Sequence, residues 1–194
     1  MNSMLESLEN YRKDIYSQNG EDGVIEYLLR ELGIDCGYFV DIGAWDGKYL
    51  SNTYHLLEKG WSGLDIEGNR NHFVGLIKVA NLFPKLQIML REVTPFEIDD
   101  LLDMYDVPQE FELLNIDIDC YDYWIWDSMK GYRPKIVVIE CNGIYKTDYV
   151  QPPVANFSGK KGASQTSLIK LGEVKGYEYV GQVGNLFFVR KDLL

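Results

Sequence analysis

Apolar residues along the chain fall into two kinds of run that alternate with each other. Residues 38–42 form a short apolar stretch followed by glycine, and residues 135–140 are nearly continuous in β-branched side chains, which is typical of a strand buried on both faces. Residues 21–32 instead carry apolar side chains at helical spacing and stop at Gly33. This alternation predicts a largely parallel sheet with right-handed crossovers.

The same pattern can be followed to residue 190. It predicts strands at residues 38–42, 61–66, 86–90, 112–118, 135–140, 177–183 and 185–190, and helices at residues 21–32, 70–82, 95–105 and 164–175. Ser51 or Asn52 is suited to cap a further helix that ends at Gly60, and Asp122 should open another. Because Gly184 alone joins the last two strands, we expect the last strand to be antiparallel. The prediction is one α/β domain over residues 1–194, with seven mostly parallel strands and helices on both faces.

Composition narrows the classes of partner and compartment. A formal net charge of −11 argues against a nucleic-acid partner, because a surface that follows phosphates needs clustered Lys and Arg. The chain contains no apolar stretch of about 18 residues, so we expect no membrane span. Its first ten residues lack the basic start of a secretory signal, and its three cysteines form no CxxC pair. A cytoplasmic, reducing environment is the expectation.

The residues after the first two strands suggest a nucleoside-type cofactor. In open α/β sheets, ligands bind beyond the carboxyl ends of the strands. Gly43 and Gly47 follow the first strand and would let the backbone approach a ligand closely. Glu67 ends the second strand, 24 positions after Gly43, where a carboxylate can accept hydrogen bonds from a ribose diol.

The loop after the first strand favours S-adenosylmethionine (SAM) over a dinucleotide. A dinucleotide site needs the pattern G-x-G-x-x-G, but here Ala44 and Trp45 follow Gly43. Asp41 and Asp46 would repel a pyrophosphate, whereas they suit the ammonium and sulfonium groups of SAM. These residues disfavour NAD and allow SAM.

The fourth and fifth strands bring more oxygen ligands to the same edge. Asp117 and Asp119 should share one strand face, and Glu140 and Asn142 follow the fifth strand. Carboxylates this close repel each other unless they are hydrogen-bonded, protonated or bound to a cation. Asp119, Glu140 and Asn142 are therefore candidate ligands for Mg²⁺ or Ca²⁺. The alternative is that they cap helices or orient substrate hydroxyls without a metal.

Several segments together resemble the FkbM-like SAM-dependent methyltransferases. The matching segments are residues 16–23, 43–48, 50–54, 60–63, 66–67, 115–119, 122–126, 132–134, 137–140, 142, 162–164, 175–177 and 185–190. The resemblance implies a Rossmann-like class I methyltransferase fold. It also implies SAM at Asp41, Gly43, Gly47 and Glu67, with Gln18, Ser51 and Asn52 near the amino-acid end of the cofactor. The full predicted set of cofactor-binding residues is Gln18, Asp41, Gly43, Ala44, Asp46, Gly47, Ser51, Asn52, Glu67 and Asp117.

The expected activity is methyl transfer to a hydroxyl of a small molecule or sugar, because FkbM-like enzymes are similar to O-methyltransferases. The chemical step would be an in-line displacement that depends on positioning, with Asp119 or Glu140 as the base. Two alternatives stay open: a catalytically silent SAM-binding or assembly subunit, and a nicotinamide oxidoreductase. We expect loop 144–163, the N-terminal segment or a partner protomer in a homo-oligomer to provide acceptor specificity.

This chain departs from the family pattern beside the expected reaction centre. Cys120 and Tyr121 stand where Gly-Asn is expected, Cys141 stands where Tyr is expected, and Tyr49 stands where His is common. These departures leave the acceptor open.

Overall fold

One seven-stranded sheet organises the computed structural model, which describes residues 7–154, 159 and 162–194. In chain order its strands are β1 (Tyr38–Ile42), β2 (Ser62–Glu67), β3 (Leu86–Leu90), β4 (Leu113–Ile116), β5 (Ile136–Ile139), β6 (Tyr177–Val183) and β7 (Asn185–Arg190). Their order across the sheet is β3-β2-β1-β4-β5-β7-β6. Strands β1 to β5 are parallel to one another, and β7 is antiparallel to both β5 and β6. The predicted antiparallel last strand is confirmed.

Six α-helices accompany the sheet in the described part of the chain. They are α1 (Glu21–Glu31), α2 (Tyr54–Glu58), α3 (Arg70–Leu82), α4 (Ile98–Asp103), α5 (Asp122–Ser128) and α6 (Gln165–Val174). Short 3-10 turns lie at Leu8–Tyr11 and Lys191–Leu193. The predicted bounds hold for β1, α3, β3, β6 and β7. The fourth strand is shorter than predicted, which matters for the site below.

Each face of the sheet carries its own apolar core, because successive strand residues point to opposite faces. Val40 and Ile42 belong to the core that contains buried residues of α4, α5 and α6. Phe39 belongs to the other core, which contains buried residues of α1, α2 and α3. The predicted placement of helices on both faces of the sheet is therefore confirmed.

Side-chain caps start two of the described helices, α3 and α6. Asn69 accepts a hydrogen bond from the backbone N–H of Asn71 at the start of α3, and Ser164 accepts one from Ser167 at the start of α6. Before α2, the Ser51 hydroxyl accepts hydrogen bonds from the N–H groups of Thr53 and Tyr54. The N-cap of α2 is Thr53, which makes no side-chain cap hydrogen bond, so the predicted cap at Ser51 or Asn52 is wrong by one or two residues; Ser51 instead orders the turn that leads into the helix.

The structure describes only parts of loop 144–163 and of the N-terminal segment, two of the regions expected to provide acceptor specificity. Residues 155–158 and 160–161 of the predicted specificity loop, and residues 1–6 of the N-terminal segment, lie outside the described part of the chain. Across the residues that are described, no helix has the length and apolar character needed to cross a membrane.

Candidate functional site

Two cavities open at the carboxyl edge of the parallel strands. The first, of about 360 Å³, lies between Gln18, the loop after β1 and the ends of β4 and β5. The second, of about 450 Å³, lies beside Glu67 at the end of β2. Four residues line both cavities: Gly43, Trp45, Asp117 and Asp119. The two cavities are therefore adjacent, and these four residues lie between them.

Close packing against neighbouring protein atoms explains why glycine occupies positions 43 and 47 after β1. Gly43 has φ 97°, and a Cβ atom there would lie 1.8 Å from the carbonyl oxygen of Asp117. A Cβ atom on Gly47 would lie 2.6 Å from a methyl carbon of Leu76 on α3. Gly43 lines both cavities, whereas Gly47 lines neither. The close approach that requires these glycines is thus to the protein's own atoms.

Asp41 is held in a buried hydrogen-bond network at the floor of the first cavity. Its carboxylate accepts hydrogen bonds from the Asn115 amide and from the Thr53 hydroxyl, both at 2.8 Å. The Asn52 amide in turn donates to Asn115 at 2.9 Å. Burial raises the pKa of Asp41 to about 6, and the charge of Glu67 adds to the rise while the two hydrogen bonds oppose it.

Sequence reasoning missed Asn115 as a member of this network. Asn115 on β4 is the direct neighbour of Asp41 on β1 in the parallel register. Its side chain therefore lies on the same face as the carboxylate and in contact with it. Asn115 could have been predicted from the strand order, because a central β1–β4 pair places it beside Asp41.

The segment before α1 forms one wall of the first cavity because two acids fix its backbone. One oxygen of buried Asp22 accepts hydrogen bonds from the N–H groups of Ile15, Tyr16 and Ser17. Glu21 accepts hydrogen bonds from both the backbone and the side-chain amide of Asn19. These contacts present Gln18 and Asn19 to the first cavity. The predicted cofactor residue Gln18 is therefore brought to the site, together with Asn19.

Glu67 sits at the second cavity with both of its oxygens already engaged. One oxygen accepts the backbone N–H of Trp45 at 2.8 Å, and the other accepts that of Asn69. A carboxylate has about four acceptor positions, so two remain for ligand hydroxyls. Asp46 differs, because its carboxylate accepts the N–H groups of Lys48 and Tyr49 in its own turn and lines neither cavity.

Three carboxyl groups come together between the two cavities. Oxygen atoms of Asp117, Asp119 and Glu140 all lie within 4.8 Å of one another. Burial, followed by the charges of Asp117, Asp122 and Asp119, raises the pKa of Glu140 to about 8. Burial also raises the pKa of Asp117 to about 6, against a hydrogen bond from Asn185. The group therefore favours either protons or a cationic ligand.

The expectation that Asp117 and Asp119 share a strand face is wrong. Strand β4 ends at Ile116, and Asp119 has φ 63°, so the chain turns there. The turn is held by Asp122, whose carboxylate accepts the N–H groups of Ile118 and Cys120. Burial raises the pKa of Asp122 to about 7. The turn, and not a strand face, brings Asp119 to Asp117.

The other predicted residues separate into two groups. Ala44, Ser51 and Asn52 line the first cavity, as the sequence predicts for cofactor contacts. Asn142 lines neither cavity, and its side-chain oxygen accepts the N–H of Ile144. The structure therefore brings together two of the three predicted metal ligands.

Asn185 reaches the site from β7, and sequence reasoning missed it. Leu186 on β7 pairs with Ile139 at the carboxyl end of β5, to which β7 is antiparallel. This pairing places Asn185 at the carboxyl edge, where it lines the first cavity. The antiparallel last strand, which the sequence does predict, was the available signal.

Known proteins resemble this chain in fold and hardly at all in sequence. No protein-family model and no curated protein matches the chain, so the FkbM-like resemblance stays a prediction. Among solved structures, the N-terminal domain of EvdMO1, determined in the presence of SAH (S-adenosylhomocysteine) and D-fucose, matches with a TM-score of 0.54 at 12% identity, over 91% of this chain and 82% of that one. A SAM-dependent methyltransferase from Clostridium acetobutylicum matches with a TM-score of 0.55 at 9% identity, over 91% of this chain and 92% of that one.

These similarities agree with the strand order and with the antiparallel β7. The chain has the Rossmann-like fold found in SAM-dependent methyltransferases.

Proposed function

We propose that the chain binds SAM across the two cavities and transfers the methyl group to a hydroxyl of a small molecule. The observation that carries this proposal is the junction where Gly43, Asp117 and Asp119 line both cavities. A ligand that fills both cavities must cross at this acidic point. SAM has its positively charged sulfur between its amino-acid and nucleoside parts, so its charge would lie opposite the carboxylates.

The residues at the two ends of the site support the same orientation. Asp41 in the first cavity suits the ammonium group of the cofactor, and Gln18, Ser51 and Asn52 offer uncharged polar partners for its carboxylate. Glu67 in the second cavity retains acceptor positions for a ribose diol. The nucleoside therefore occupies the second cavity in this proposal, and the amino acid occupies the first.

Glu140 and Asp119 are the proposed bases for the acceptor hydroxyl. The sulfonium group of bound SAM supplies an activated methyl for in-line displacement. Glu140 lies beside the junction, and its raised pKa, about 8, makes its carboxylate a stronger proton acceptor than an ordinary Glu. A positive charge bound at the junction would favour the ionised form of Glu140 at neutral pH.

A sugar is the first acceptor class to test. The similar EvdMO1 domain was crystallised with SAH and D-fucose. Besides the residues proposed for the amino-acid end of SAM, the first cavity is lined by the side-chain amides of Asn19 and Asn185, which suit a polyhydroxylated acceptor. Phenols form the comparison class, because Tyr49 at the same cavity is 60% exposed and offers an aromatic surface.

Once SAM is bound, the cofactor's own cation is the proposed compensation for the clustered carboxylates; in the free protein the compensation is a proton on Glu140. Mg²⁺ is the alternative, since Asp119 and Glu140 are hard oxygen ligands. Asn142 could join them only if its side chain left the hydrogen bond to Ile144. Equal methyl transfer in Mg²⁺ and in EDTA is therefore expected, and loss of transfer in EDTA alone would favour the metal.

Calorimetric titration with SAM tests the binding half of the proposal. The wild type should bind, and Asp117→Ala should weaken binding about tenfold by removing one carboxylate from the cation. Asp35→Asn is the matched control, because Asp35 is an exposed acid before β1, at the opposite edge of the sheet. Failure of the wild type to bind SAM would refute the proposal.

Transfer of labelled methyl from SAM to a panel of sugars and phenols tests the catalytic half. The proposal predicts a labelled methyl ether with at least one acceptor class. SAM binding without transfer to any acceptor, including lysate metabolites, would favour the silent SAM-binding subunit. Binding of NAD in place of SAM would favour an oxidoreductase.

A further inference from the structure

Trp45 has a backbone conformation that bulky residues rarely adopt. Its φ of 55° lies in the left-handed region, which costs a residue with a Cβ about 1 kcal/mol or more. Five non-glycine residues in the described part of the chain have positive φ, and three of them, Trp45, Leu50 and Asp119, line the cavities. Backbone strain that concentrates at a cavity points to a role for the strained residues there.

The Trp45 side chain is not held in place by burial in a core. It is 48% exposed, although Trp is among the side chains that gain most from burial. Its ring stacks on the ring of His72 from α3, with centroids 3.6 Å apart and planes at 20°. The ring therefore stands at the cavities with one face supported by a second aromatic side chain.

Glu67 connects this aromatic pair to the nucleoside end of the site. Its carboxylate accepts the Trp45 N–H at 2.8 Å, and it lies 3.8 Å from Nδ1 of His72. The carboxylate proposed to hold the ribose thus also fixes the backbone of Trp45. The second cavity around it contains apolar side chains of Ile66, Val93 and Ile118, which suit a flat heteroaromatic base.

We propose that Trp45, supported by His72, is the residue that stacks on the nucleoside of the cofactor and makes the site selective against dinucleotides. This inference rests on the proposed SAM site. Aromatic side chains bind bases through their π-faces, at about 1–3 kcal/mol per base. The ring also stands at the position where the dinucleotide fingerprint requires glycine, so it obstructs the approach of a pyrophosphate.

Glycine is the informative substitution because the conformation of Trp45 already suits it. Trp45→Gly should leave the melting temperature unchanged or higher, since it relieves the left-handed strain. It should weaken the binding of SAH and of adenosine about tenfold each. Trp45→Phe keeps an aromatic face, so both affinities should stay within about threefold of the wild type.

Phe96 provides a matched control. It is also strained, with φ 78°, and it is 67% exposed, but it lines neither cavity. Phe96→Gly should therefore change neither affinity. Calorimetry with SAH and adenosine, together with thermal unfolding of each variant, gives all the required values.

The possible results separate this inference from the function on which it rests. A wild type that binds neither SAH nor SAM overturns the proposed function and this inference with it. A wild type that binds SAH, with unchanged SAH affinity in Trp45→Gly, overturns only the role of Trp45. Weaker binding of SAH with unchanged binding of adenosine would place the ring at the amino-acid end and overturn the nucleoside assignment.

Discussion

The acidic side chains on the two sides of the sheet's carboxyl edge differ in how their negative charges are stabilised. On the β1–β2 side, Asp41 and Glu67 each accept two hydrogen bonds from fixed donors of the protein. On the β4–β5 side, Asp117, Asp119 and Glu140 lie within 4.8 Å of one another. The first pair is ordered before any ligand arrives, whereas the three clustered acids need protons or a cation to offset their repulsion.

This difference suggests a division of labour across the edge. Pre-ordered acceptors lose little entropy on binding and can select the shape and hydroxyl pattern of a ligand. Acids that repel one another respond instead to charge, so they are suited to the sulfonium and to the proton of the acceptor. The four predictions that follow test this division, in order of decreasing expected effect.

The largest effect should come from the β1–β2 side. We predict that Glu67→Ala lowers SAM affinity at least about a hundredfold, because it removes the proposed ribose acceptor and also the carboxylate that holds the Trp45 N–H. Glu67→Gln keeps one oxygen acceptor and should lose less affinity. Calorimetry on both variants gives the comparison, and undiminished affinity in Glu67→Ala would sink the ribose assignment.

A loss of rate without a loss of binding should follow on the β4–β5 side. We predict that Glu140→Gln lowers methyl transfer about a hundredfold, since a general base typically contributes at least that factor. Its SAM affinity should stay within about tenfold of the wild type. The measurements are the turnover rate at saturating SAM and a calorimetric titration. A variant with full turnover would remove Glu140 from the mechanism and leave Asp119 as the proposed base.

The dependence of SAM affinity on pH tests the charge-sensing role of the β4–β5 side. The pKa values of Asp117 and Glu140 are raised from 3.8 and 4.5 to about 6 and about 8. The free protein should therefore lose stability as pH rises from about 4 through about 8, because deprotonation is more costly in the folded state. A cationic ligand favours the deprotonated acids, so SAM affinity should rise about tenfold from pH 6 to pH 8, with release of protons.

Calorimetry of SAM binding in buffers of different ionisation enthalpy measures that proton release. The double variant Asp117→Asn with Glu140→Gln is the control, and its SAM affinity should vary less with pH. Equal affinity of the wild type at pH 6 and pH 8, without proton release, would contradict a charge-sensing role for the β4–β5 side.

The smallest effect should arise within the β1–β2 side, where Asp65 contrasts with Asp41. The two are register partners on adjacent strands, but neither oxygen of Asp65 has a hydrogen-bond partner among the described residues. Burial, together with the charge of Asp41, raises the pKa of Asp65 well above its ordinary value. Its contribution to stability is therefore present at low pH and is lost as pH rises through that raised pKa.

Asp65→Asn removes this titration while it keeps the shape of the side chain. We predict a melting temperature a few degrees above that of the wild type at pH 8, and a smaller difference at pH 5. SAM affinity should change little, because Asp65 lines neither cavity. Equal melting temperatures at pH 8 would show that Asp65 is neutral in the folded protein even there.

Local sequence signals predicted the fold better than they predicted the site. The bounds of α3, β3, β6 and β7 follow from periodicity and from turn residues that act over a few positions. The fourth strand was predicted to reach residue 118, but Asp122 accepts two backbone N–H groups and ends it at Ile116. Side-chain contacts from Asp122, four residues beyond Ile118, therefore overrode a strand-like alternation of apolar and polar residues that continued to Ile118.

By itself, the sequence determined the alternation of strands and helices, the edge at which ligands should bind and the acids that reach it. These properties depend on periodicity and on the rule that parallel strands end together. Only the tertiary structure decided that Asp46 and Asn142 turn away, that Gly47 serves the packing of Leu76, and that Asn115 joins Asp41. Those outcomes depend on register between strands and on contacts between distant residues, and no local pattern encodes either.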